Sequence, residues 1–285
     1  MPKHSLRFDA IGTPWVIETA TPLNPNIENL IKSRIEAFDK TYSRFRRDSL
    51  ISLAAKEAGI YTFPSDAEEL FEFYETLYGL TQGKVTPLIG SVLENAGYDA
   101  DYSFKALPQQ ELPGLRDALE RNKSVIEVKI PVTIDVGAAG KGFLVDEVSE
   151  ILNQAGIQEY VVDASGDIRH KGLSDNTVGL EHPLDPAKII GSIEVLNKSL
   201  CASASNRRKW GEGQHHIFDP HTLTPANDII ATWVMADSAM VADGLATALF
   251  FTDPNVLRKE FSYEYVRMRS DGAIDYSPAF EGKLF

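Results

Sequence analysis

The chain has 285 residues, of which 43% are hydrophobic, 24% charged and 9% aromatic. This composition is typical of a globular protein with a sizeable core. Lys and Arg number 28 against 41 Asp and Glu, so the formal net charge is −13. Such a charge repels nucleic-acid backbones and acidic membrane surfaces, and we exclude both as partners. No apolar run of the sequence is long enough to cross a bilayer.

Cysteine content and the first residues of the sequence bear on the compartment. Cys201 is the only cysteine, which excludes an internal disulfide and argues against a cysteine-based zinc site. Residues 1–7 lack the apolar stretch of a signal peptide, and no nearby cysteine could take a lipid. We therefore expect a cytoplasmic protein. No Gly/Ser linker or internal repeat divides the chain, so we expect one domain over residues 1–285; the sequence does not indicate the oligomeric state.

Helical periodicity dominates the first part of the chain. Pro25 suits a first helical position, and apolar residues then recur at three-and-four spacing as far as Tyr42. Residues 65–68 have the form of a capping box ahead of a second apolar stripe that reaches Tyr78. Residues 97–113 are rich in turn-forming residues and are interpreted as an irregular surface connection.

Strands and helices mix in the rest of the chain. Residues 124–136 alternate as strands do, with an interruption at Pro131, and the small residues that follow predict a helix start. Gly156 is placed to end that helix. Further strands are predicted over 160–162, 189–196, 200–204 and 231–235, with a helix over 239–250 and a hairpin around 270–272. Because no strict βαβ cycle is present, we expect an α+β fold with mixed, largely antiparallel sheets and packed helices.

Residues 135–142 form the densest group of candidate functional residues. They comprise a strand end, a turn of small residues and a helix start that contains Lys141. Backbone N–H groups at a helix start can bind an anion, and a lysine ammonium adds positive charge. The segment is not a Walker A loop, because only two residues separate Gly137 from Gly140 and Gly142 stands at the Ser/Thr position. Two explanations of this segment remain open at this point: a phosphate-binding site, and a turn whose small residues only allow close packing.

Two further segments carry polar side chains in turns. Residues 163–168 combine two carboxylates with a hydroxyl, although taken alone they are better explained as a plain Asp/Gly turn. Residues 215–222 contain three histidines and one aspartate between them. Such a concentration could bind a metal, act as a base or contact a nucleotide.

Asp243 and Thr247 are the polar residues of an otherwise apolar predicted helix. They lie four residues apart and therefore share one helix face. A buried carboxylate costs free energy unless it is paired or binds a cation, and the hydroxyl would supply a second oxygen. Local hydrogen bonds to the helix backbone are the alternative explanation.

Taken in order, these segments resemble the ApbE family of FAD:protein FMN transferases. The family pattern has an Asp-x-Gly-Gly-x-Ala-Lys-Gly turn, an Asn-x-Gly-Gly-Asp-Ile turn, a His-Ile-x-Asp-Pro segment and an Ala-Asp-x-x-x-Thr helix. Residues 135–142, 163–168, 216–220 and 242–247 correspond to them. Upstream, Ser43-Arg44-Phe45 resembles the family's Ser-Arg-Phe segment, and residues 83–88 resemble a stretch that contains Thr86.

This chain departs from the family pattern at several positions. Gly140 stands in place of the usual alanine, Asp163 in place of asparagine, and Ser165 in place of a glycine. Leu223 stands where a glycine is usual, and residues 85–87 and 203–206 also differ. The changes at Gly140, Asp163, Ser165 and Leu223 remove no charge or donor that the implied chemistry needs. The differences at residues 85–87 and 203–206 bear on the contacts to the isoalloxazine ring.

The resemblance implies an ApbE-like fold and a transferase that splits the diphosphate of FAD, attaches FMN to a Ser or Thr of an acceptor flavoprotein and releases AMP. It implies Mg²⁺, with Mn²⁺ as the alternative, held by Asp243, Thr247 and a carbonyl at or near Gly140. His216 and Asp243 would be catalytic, with His216 either deprotonating the incoming hydroxyl or organising the reacting phosphate. The residues implied to bind FAD are Ser43, Arg44, Phe45, Thr86, Lys141, Asp146, Asp167, His216 and Asp219.

The acceptor implied by the resemblance carries an Asp-x-x-Ser/Thr-Gly-Ala-Thr motif. Residues 243–248 are similar to that motif, but Ala246 occupies the position of the hydroxyl, so we do not expect self-flavinylation. Two other activities remain open at this stage. One is an FAD pyrophosphatase that uses water and gives FMN and AMP, and the other is a protein that binds FAD without turnover.

Overall fold

The computed structural model describes residues 4–174, 176–211 and 213–285. The strands in chain order are β1 (His4–Ala10), β2 (Thr13–Thr19), β3 (Gly59–Thr62), β4 (Leu119–Asn122), β5 (Val125–Val128), β6 (Tyr160–Asp163), β7 (Ile168–Lys171), β8 (Thr177–Glu181), β9 (Ile189–Glu194), β10 (Ser199–Ala204), β11 (Lys209–Trp210), β12 (Gln214–His215), β13 (Phe218–Asp219), β14 (Thr224–Pro225), β15 (Ile229–Ala236), β16 (Glu264–Arg269), β17 (Ile274–Tyr276) and β18 (Lys283–Leu284). The helices are α1 (Pro25–Tyr42), α2 (Leu50–Ala54), α3 (Ala67–Leu80), α4 (Gly90–Asn95), α5 (Leu115–Ala118), α6 (Gly140–Gln154), α7 (Ala239–Ala248) and α8 (Pro254–Leu257), with a 3₁₀ helix over Pro87–Ile89.

A large antiparallel sheet organises the part of the chain that the structure describes. Its strand order is β1-β2-β6-β7-β10-β15-β16-β17, and each neighbouring pair is antiparallel. Two smaller antiparallel sheets have the orders β3-β5-β4 and β18-β9-β8. The α+β fold with largely antiparallel sheets is therefore confirmed.

Helices α6 and α7 connect the sheet to the region where the candidate residues lie. Helix α7 packs on β10 and β15, α6 packs on β6 and β7, and the two helices contact each other. At Gly142 they approach so closely that an added Cβ would lie 2.2 Å from the carbonyl oxygen of Ala239. Glycine is needed here because any side chain would force the helices apart.

Most predicted elements are present, and the differences have local causes. Helix α1 begins at Pro25, and the side chain of Asn24 accepts a hydrogen bond from the amide of Asn26 at 2.9 Å. The predicted capping box of residues 65–68 does not form. It implies Ser65 as the N-cap, whereas α3 begins one residue later with Asp66 as the N-cap, and the Asp66 carboxylate accepts a hydrogen bond from Arg34 instead of capping the helix. The predicted strands over residues 124–136 shrink to β5 alone.

Several strands were not predicted, among them the seven-residue β1 and β2 and the four-residue β3. A strand as short as β3 gives only a few alternations of hydrophobicity, so its pattern is weak. Within the described residues, no helix combines the length and the apolar character that crossing a membrane requires.

Candidate active site

A cavity of about 920 Å³ opens where the start of α6, the middle of α7 and the loop after β10 come together. The β1–β2 turn and the end of α1 complete its wall. It is lined by predicted site residues from five separate segments, namely Ser43, Arg44, Phe45, Thr86, Gly140, Lys141, His216, Asp243 and Thr247. The fold thus gathers most of the candidate residues around one space large enough for a sizeable ligand.

Asp243 is buried in the wall of this cavity, with 5% of the residue exposed. Its Oδ2 accepts a hydrogen bond of 2.9 Å from the backbone N–H of Gly142. Burial, together with the nearby Asp167 carboxylate, raises the pKa of Asp243 well above its usual range, against the opposing effect of Lys141. A carboxylate in this position gains from a nearby cation, which would offset the cost of burying its charge.

Thr247 lies one helical turn beyond Asp243, and its Oγ1 is 3.4 Å from Oγ of Ser203. Carboxylate and hydroxyl oxygens suit a hard divalent cation such as Mg²⁺. No group of three or more His, Cys, Asp or Glu side chains suited to hold a metal occurs in residues 4–174, 176–211 and 213–285. A cation here would therefore complete its shell with backbone carbonyl, water and substrate oxygens, as Mg²⁺ does in phosphate sites. The donor set fits Mg²⁺ on these terms.

The backbone amides at the start of α6 are occupied by the protein itself. Those of Ala138 and Ala139 donate to the hydroxyl of Tyr74 at 3.1 and 3.2 Å. The amide of Gly137 donates to Asp135, and that of Gly142 to Asp243. Of the two explanations that the sequence left open, these hydrogen bonds favour packing over a row of free N–H groups that would bind a phosphate. The turn instead holds the candidate side chains in position.

Lys141 forms an ion pair with Asp167, which is fully buried. Burial lowers the pKa of Lys141, but the carboxylates of Asp167 and Asp243 outweigh it and raise that pKa above its ordinary value. Lys141 is therefore charged at neutral pH, although Asp167 already balances its charge. Asp167 does not line the cavity, but it contacts Lys141, which does.

Arg44 and Phe45 form an aromatic and cationic wall. The guanidinium of Arg44 lies 4.2 Å from the centre of the Phe45 ring, and its Nε donates to Asp135 at 2.5 Å. Burial acts to raise the pKa of Asp135, but Arg44 holds it below its usual range. Nη2 of Arg44 is buried and has no hydrogen-bond partner among the described residues. Phe45 also stacks on Tyr102, with ring centres 5.4 Å apart, which gives the wall a flat aromatic surface.

His216 lines the cavity as a neutral imidazole. Its Nδ1 is 3.2 Å from the carbonyl oxygen of Arg207. Burial and the positive charge of Arg208 lower the pKa of His216 to about 3. At neutral pH the ring therefore donates from Nδ1 to the carbonyl and keeps a lone pair on Nε2. That nitrogen can accept a proton.

Asp146 and Asp219 lie behind the cavity wall. Asp146 accepts hydrogen bonds from Ser238 and from the amides of Ala239 and Met240, all within 2.9 Å. It thereby fixes the start of α7, the helix that carries Asp243. Asp219 forms an ion pair of 2.8 Å with Lys84, whose side chain lines the cavity. Both carboxylates support residues of the site from outside its lining.

The remaining predicted residues have local roles as well. Ser43 ends α1, and its amide donates to the carbonyl of Asp39 at 3.1 Å. Thr86 caps the 3₁₀ helix, since its Oγ1 accepts from the amide of Leu88 at 3.2 Å. Both side chains border the cavity.

Two departures from the family pattern have structural explanations. At Gly140 an added Cβ would lie only 3.0 Å from Val136 and 3.3 Å from Phe38, so the usual alanine would be crowded here. Ser165 has φ of 57°, a conformation that glycine adopts more readily. The Ser165 hydroxyl donates to the carbonyl of Pro14 at 2.9 Å, which ties this turn to β2.

Sequence reasoning missed Tyr74, Asn206 and Arg208. Tyr74 belongs to the apolar stripe of α3 and was indistinguishable from a core residue. Asn206 and Arg208 lie after β10 and border the cavity. The Oδ1 of Asn206 is buried without a hydrogen-bond partner in the described part of the chain. In the sequence, the feature that could have indicated Asn206 and Arg208 is the run of polar residues between two strands.

Comparison with known proteins identifies the family. The model of the ApbE family matches residues 11–265. A protein of Vibrio cholerae serotype O1 named FAD:protein FMN transferase is 28% identical over 257 residues, which cover 84% of this chain and 75% of that protein. The protein of the same name from Haemophilus influenzae is 25% identical over 275 residues, with coverages of 86% and 80%.

Solved structures show the same fold. The flavin transferase ApbE from Vibrio cholerae superimposes with a TM-score of 0.80 at 20% identity and covers 98% of both chains. The ApbE protein from Thermotoga maritima gives 0.83 at 22% identity, with coverages of 96% and 97%. The curated relatives are transferases by name, which confirms the prediction that this chain is an enzyme of that class. The chain belongs to the ApbE family.

Proposed function

We propose that this protein transfers FMN from FAD to a Ser or Thr hydroxyl of an acceptor protein and releases AMP, with Mg²⁺ or Mn²⁺ bound at Asp243. The observation that carries the proposal is the Asp243 carboxylate. It is buried in the wall of a cavity of about 920 Å³, and a single backbone N–H from Gly142 holds it. A buried carboxylate beside a hydroxyl is suited to hold a divalent cation that in turn binds phosphate oxygens.

Asp243, Thr247 and a backbone carbonyl at or near Gly140 would hold the cation. The cation would offset the negative charge of the diphosphate and of the departing AMP. The protein contributes position: Gly142 holds Asp243 by its amide, and Asp146 fixes the first turn of the helix that carries it. The donors are thus in place before the substrate arrives, which is how preorganised sites lower a barrier.

Phe45 and Tyr102 offer stacked aromatic rings to the flavin, and the unpartnered Nη2 of Arg44 is available to one of its oxygens. The distance between the two ring centres, 5.4 Å, is that of stacked aromatic groups. A flat, electron-poor ring system such as an isoalloxazine suits such a wall. Asn206 has a buried amide oxygen that can accept an N–H from the ligand.

His216 would take the proton of the acceptor hydroxyl on Nε2. The hydroxyl oxygen then forms a bond to the phosphorus of the FMN part, while the bond from that phosphorus to the bridging oxygen breaks. AMP leaves with the bridging oxygen, and the proton passes from His216 to solvent. The carbonyl of Arg207, 3.2 Å from Nδ1, keeps the ring in the tautomer that this step requires.

The acceptor in this proposal carries the Asp-x-x-Ser/Thr-Gly-Ala-Thr motif, and the reaction takes place in the cytoplasm. A single cysteine in the chain is compatible with a reducing compartment. FAD is the substrate and leaves as two parts, so the protein need not retain a flavin between turnovers.

Purified protein, FAD and MgCl₂ should be incubated with an acceptor that carries the motif. A matched acceptor with alanine in place of the Ser/Thr serves as the control. Intact-mass measurement should show the addition of one FMN to the first acceptor only, with release of AMP. AMP without labelled acceptor would replace the proposal by hydrolysis of FAD. Bound FAD with neither product would replace it by a binding role.

A further inference from the structure

The charged side chains that line the cavity are largely paired with each other or with buried neighbours. The ion pairs are those of Arg44 with Asp135, Arg46 with Asp39, Lys84 with Asp219, Lys141 with Asp167 and Arg207 with Glu181. Two lining charges stand apart from this pattern. Among the described residues, neither Asp243 nor Arg208 has a side chain of opposite charge within ion-pair distance.

Arg208 lies in the loop between β10 and β11, with its side chain exposed to solvent. Its φ of 45° is in the left-handed region, which residues other than Gly, Asn and Asp seldom adopt. Strained residues of this kind concentrate at functional sites. Arg208 also lines the same cavity as His216 and Asp243.

We propose that Arg208 binds the diphosphate of the dinucleotide substrate. The inference rests on the proposed function and adds a phosphate-binding residue outside the segments that resemble the family. A guanidinium can donate two parallel hydrogen bonds to a phosphate, which an ammonium cannot do. Lys141, which the sequence suggested for the phosphates, already has its charge balanced by Asp167.

Charge balance supports this assignment. Each phosphate of the FAD diphosphate carries one negative charge. A divalent cation bound to the negatively charged Asp243 carboxylate would leave one net positive charge on that side of the cavity. The guanidinium of Arg208 would supply the second positive charge. In a protein with a net charge of −13, an unbalanced cation at the substrate cavity also attracts an anionic ligand.

Binding measurements with three ligands test the proposal. FAD and ADP contain the diphosphate, whereas riboflavin contains the flavin ring and no phosphate. Arg208→Ala should weaken FAD and ADP binding by about tenfold or more, as expected for a charge-assisted hydrogen bond, and leave riboflavin binding unchanged. Arg208→Lys should restore part of the loss, because it keeps the charge without the planar donor pair.

Two controls separate binding from structure and from bulk charge. Lys209→Ala removes the same charge from the next residue, which is outside the cavity lining, and should leave all three affinities unchanged. Arg208→Gly relieves the left-handed backbone. It should therefore keep or raise the unfolding temperature while losing FAD affinity as the alanine variant does.

The outcomes are distinct. Wild-type affinity of Arg208→Ala for FAD and ADP would overturn this inference and leave the proposed function standing. Unchanged FAD and ADP affinity with slower labelling of the acceptor would also overturn it, because Arg208 would then contact the acceptor. Failure of the wild-type protein to bind FAD at all would overturn the proposed function and this inference together.

Discussion

The backbone N–H of Gly142 donates a hydrogen bond of 2.9 Å to Oδ2 of Asp243 at the crossing of α6 and α7. These residues are 101 positions apart in the chain. The bond joins the turn of small residues to the helix that carries the candidate metal ligands. The same glycine allows the helices to approach, so the packing of the fold and the position of the carboxylate depend on one residue.

Gly142→Ala should destabilise the protein by about 3 kcal/mol, the upper range for overpacking a close contact. The new Cβ would lie 2.2 Å from the carbonyl oxygen of Ala239 and 2.8 Å from Cβ of Asp243. Urea unfolding measures the change. Gly79→Ala is the matched control, because no atom lies within 4 Å of its added Cβ; helix propensity should stabilise that variant by about 0.5 to 1 kcal/mol. Equal effects of the two substitutions would contradict the role of the crossing.

Asp243→Asn should abolish transfer and the response to Mg²⁺ while the fold persists. The asparagine oxygen can still accept from Gly142, and without the buried charge the variant should be at least as stable as wild type in EDTA. Adding MgCl₂ should raise the unfolding temperature of the wild-type protein only, since a ligand of the folded state stabilises that state.

Asp237→Asn provides the control for this measurement, because the Asp237 side chain is 87% exposed and its ion-pair partner among the described residues is Lys198. It should respond to Mg²⁺ as the wild-type protein does. If Mg²⁺ stabilised Asp243→Asn as strongly as wild type, Asp243 would not be a metal ligand.

Tyr74→Phe should cost about 2 kcal/mol of stability and reduce activity. The Tyr74 hydroxyl is buried and accepts from the amides of Ala138 and Ala139. Loss of this acceptor leaves the amide of Ala138 without its partner and the amide of Ala139 with a longer contact of 3.3 Å to the carbonyl of Val136. A buried donor without a partner carries a penalty on the order of 1 to 3 kcal/mol. In Tyr78→Phe, by contrast, the hydrogen bond lost among the described residues is one amide contact of 3.4 Å from Leu115, and thermal unfolding should show a smaller change. A neutral Tyr74→Phe would mean that the turn does not depend on this hydroxyl.

The stability of the substrate-free protein should depend on pH through His216. Burial and Arg208 lower the folded-state pKa to about 3 from an ordinary value of 6.5. Between these pH values the unfolded chain binds a proton that the folded protein does not. The contribution of neutral His216 is therefore complete above pH 6.5 and declines as the pH falls toward 3. Urea unfolding of wild type and His216→Gln should show a difference that grows with pH across this interval, and parallel curves would contradict the prediction.

Local sequence patterns were enough to predict the elements that carry the site. Pro25 and the apolar spacing after it located α1, Gly156 located the end of α6, and the isolated Asp243 and Thr247 located a polar face on α7. Each of these depends on neighbouring residues and on the geometry of one helix or turn, so it can be recognised without knowledge of the fold. The order of several weak motifs along the chain indicated the family.

The short strands and the capping of α3 were less predictable. The capping box predicted at residues 65–68 implies Ser65 as the N-cap, but the observed N-cap is Asp66, whose carboxylate accepts a hydrogen bond from Arg34, 32 positions away. Strands such as β3 are only four residues long, and their stability comes from partners elsewhere in the chain. In both cases a contact between distant parts of the chain outweighs the local structural propensity.

The charge, the helices around the site, the order of the motifs and the resemblance to the family could all be recognised from the amino-acid sequence. The fold was needed to show that the amides of Ala138 and Ala139 are bound to Tyr74, 64 and 65 positions away. It alone also decided that Lys141 is paired with Asp167 and that Arg208 borders the cavity without a described carboxylate beside it. Whether a donor or a charge is available to a ligand depends on which distant groups reach it first. That is set by the path of the chain in space, because a hydrogen bond or ion pair forms only within a few ångströms.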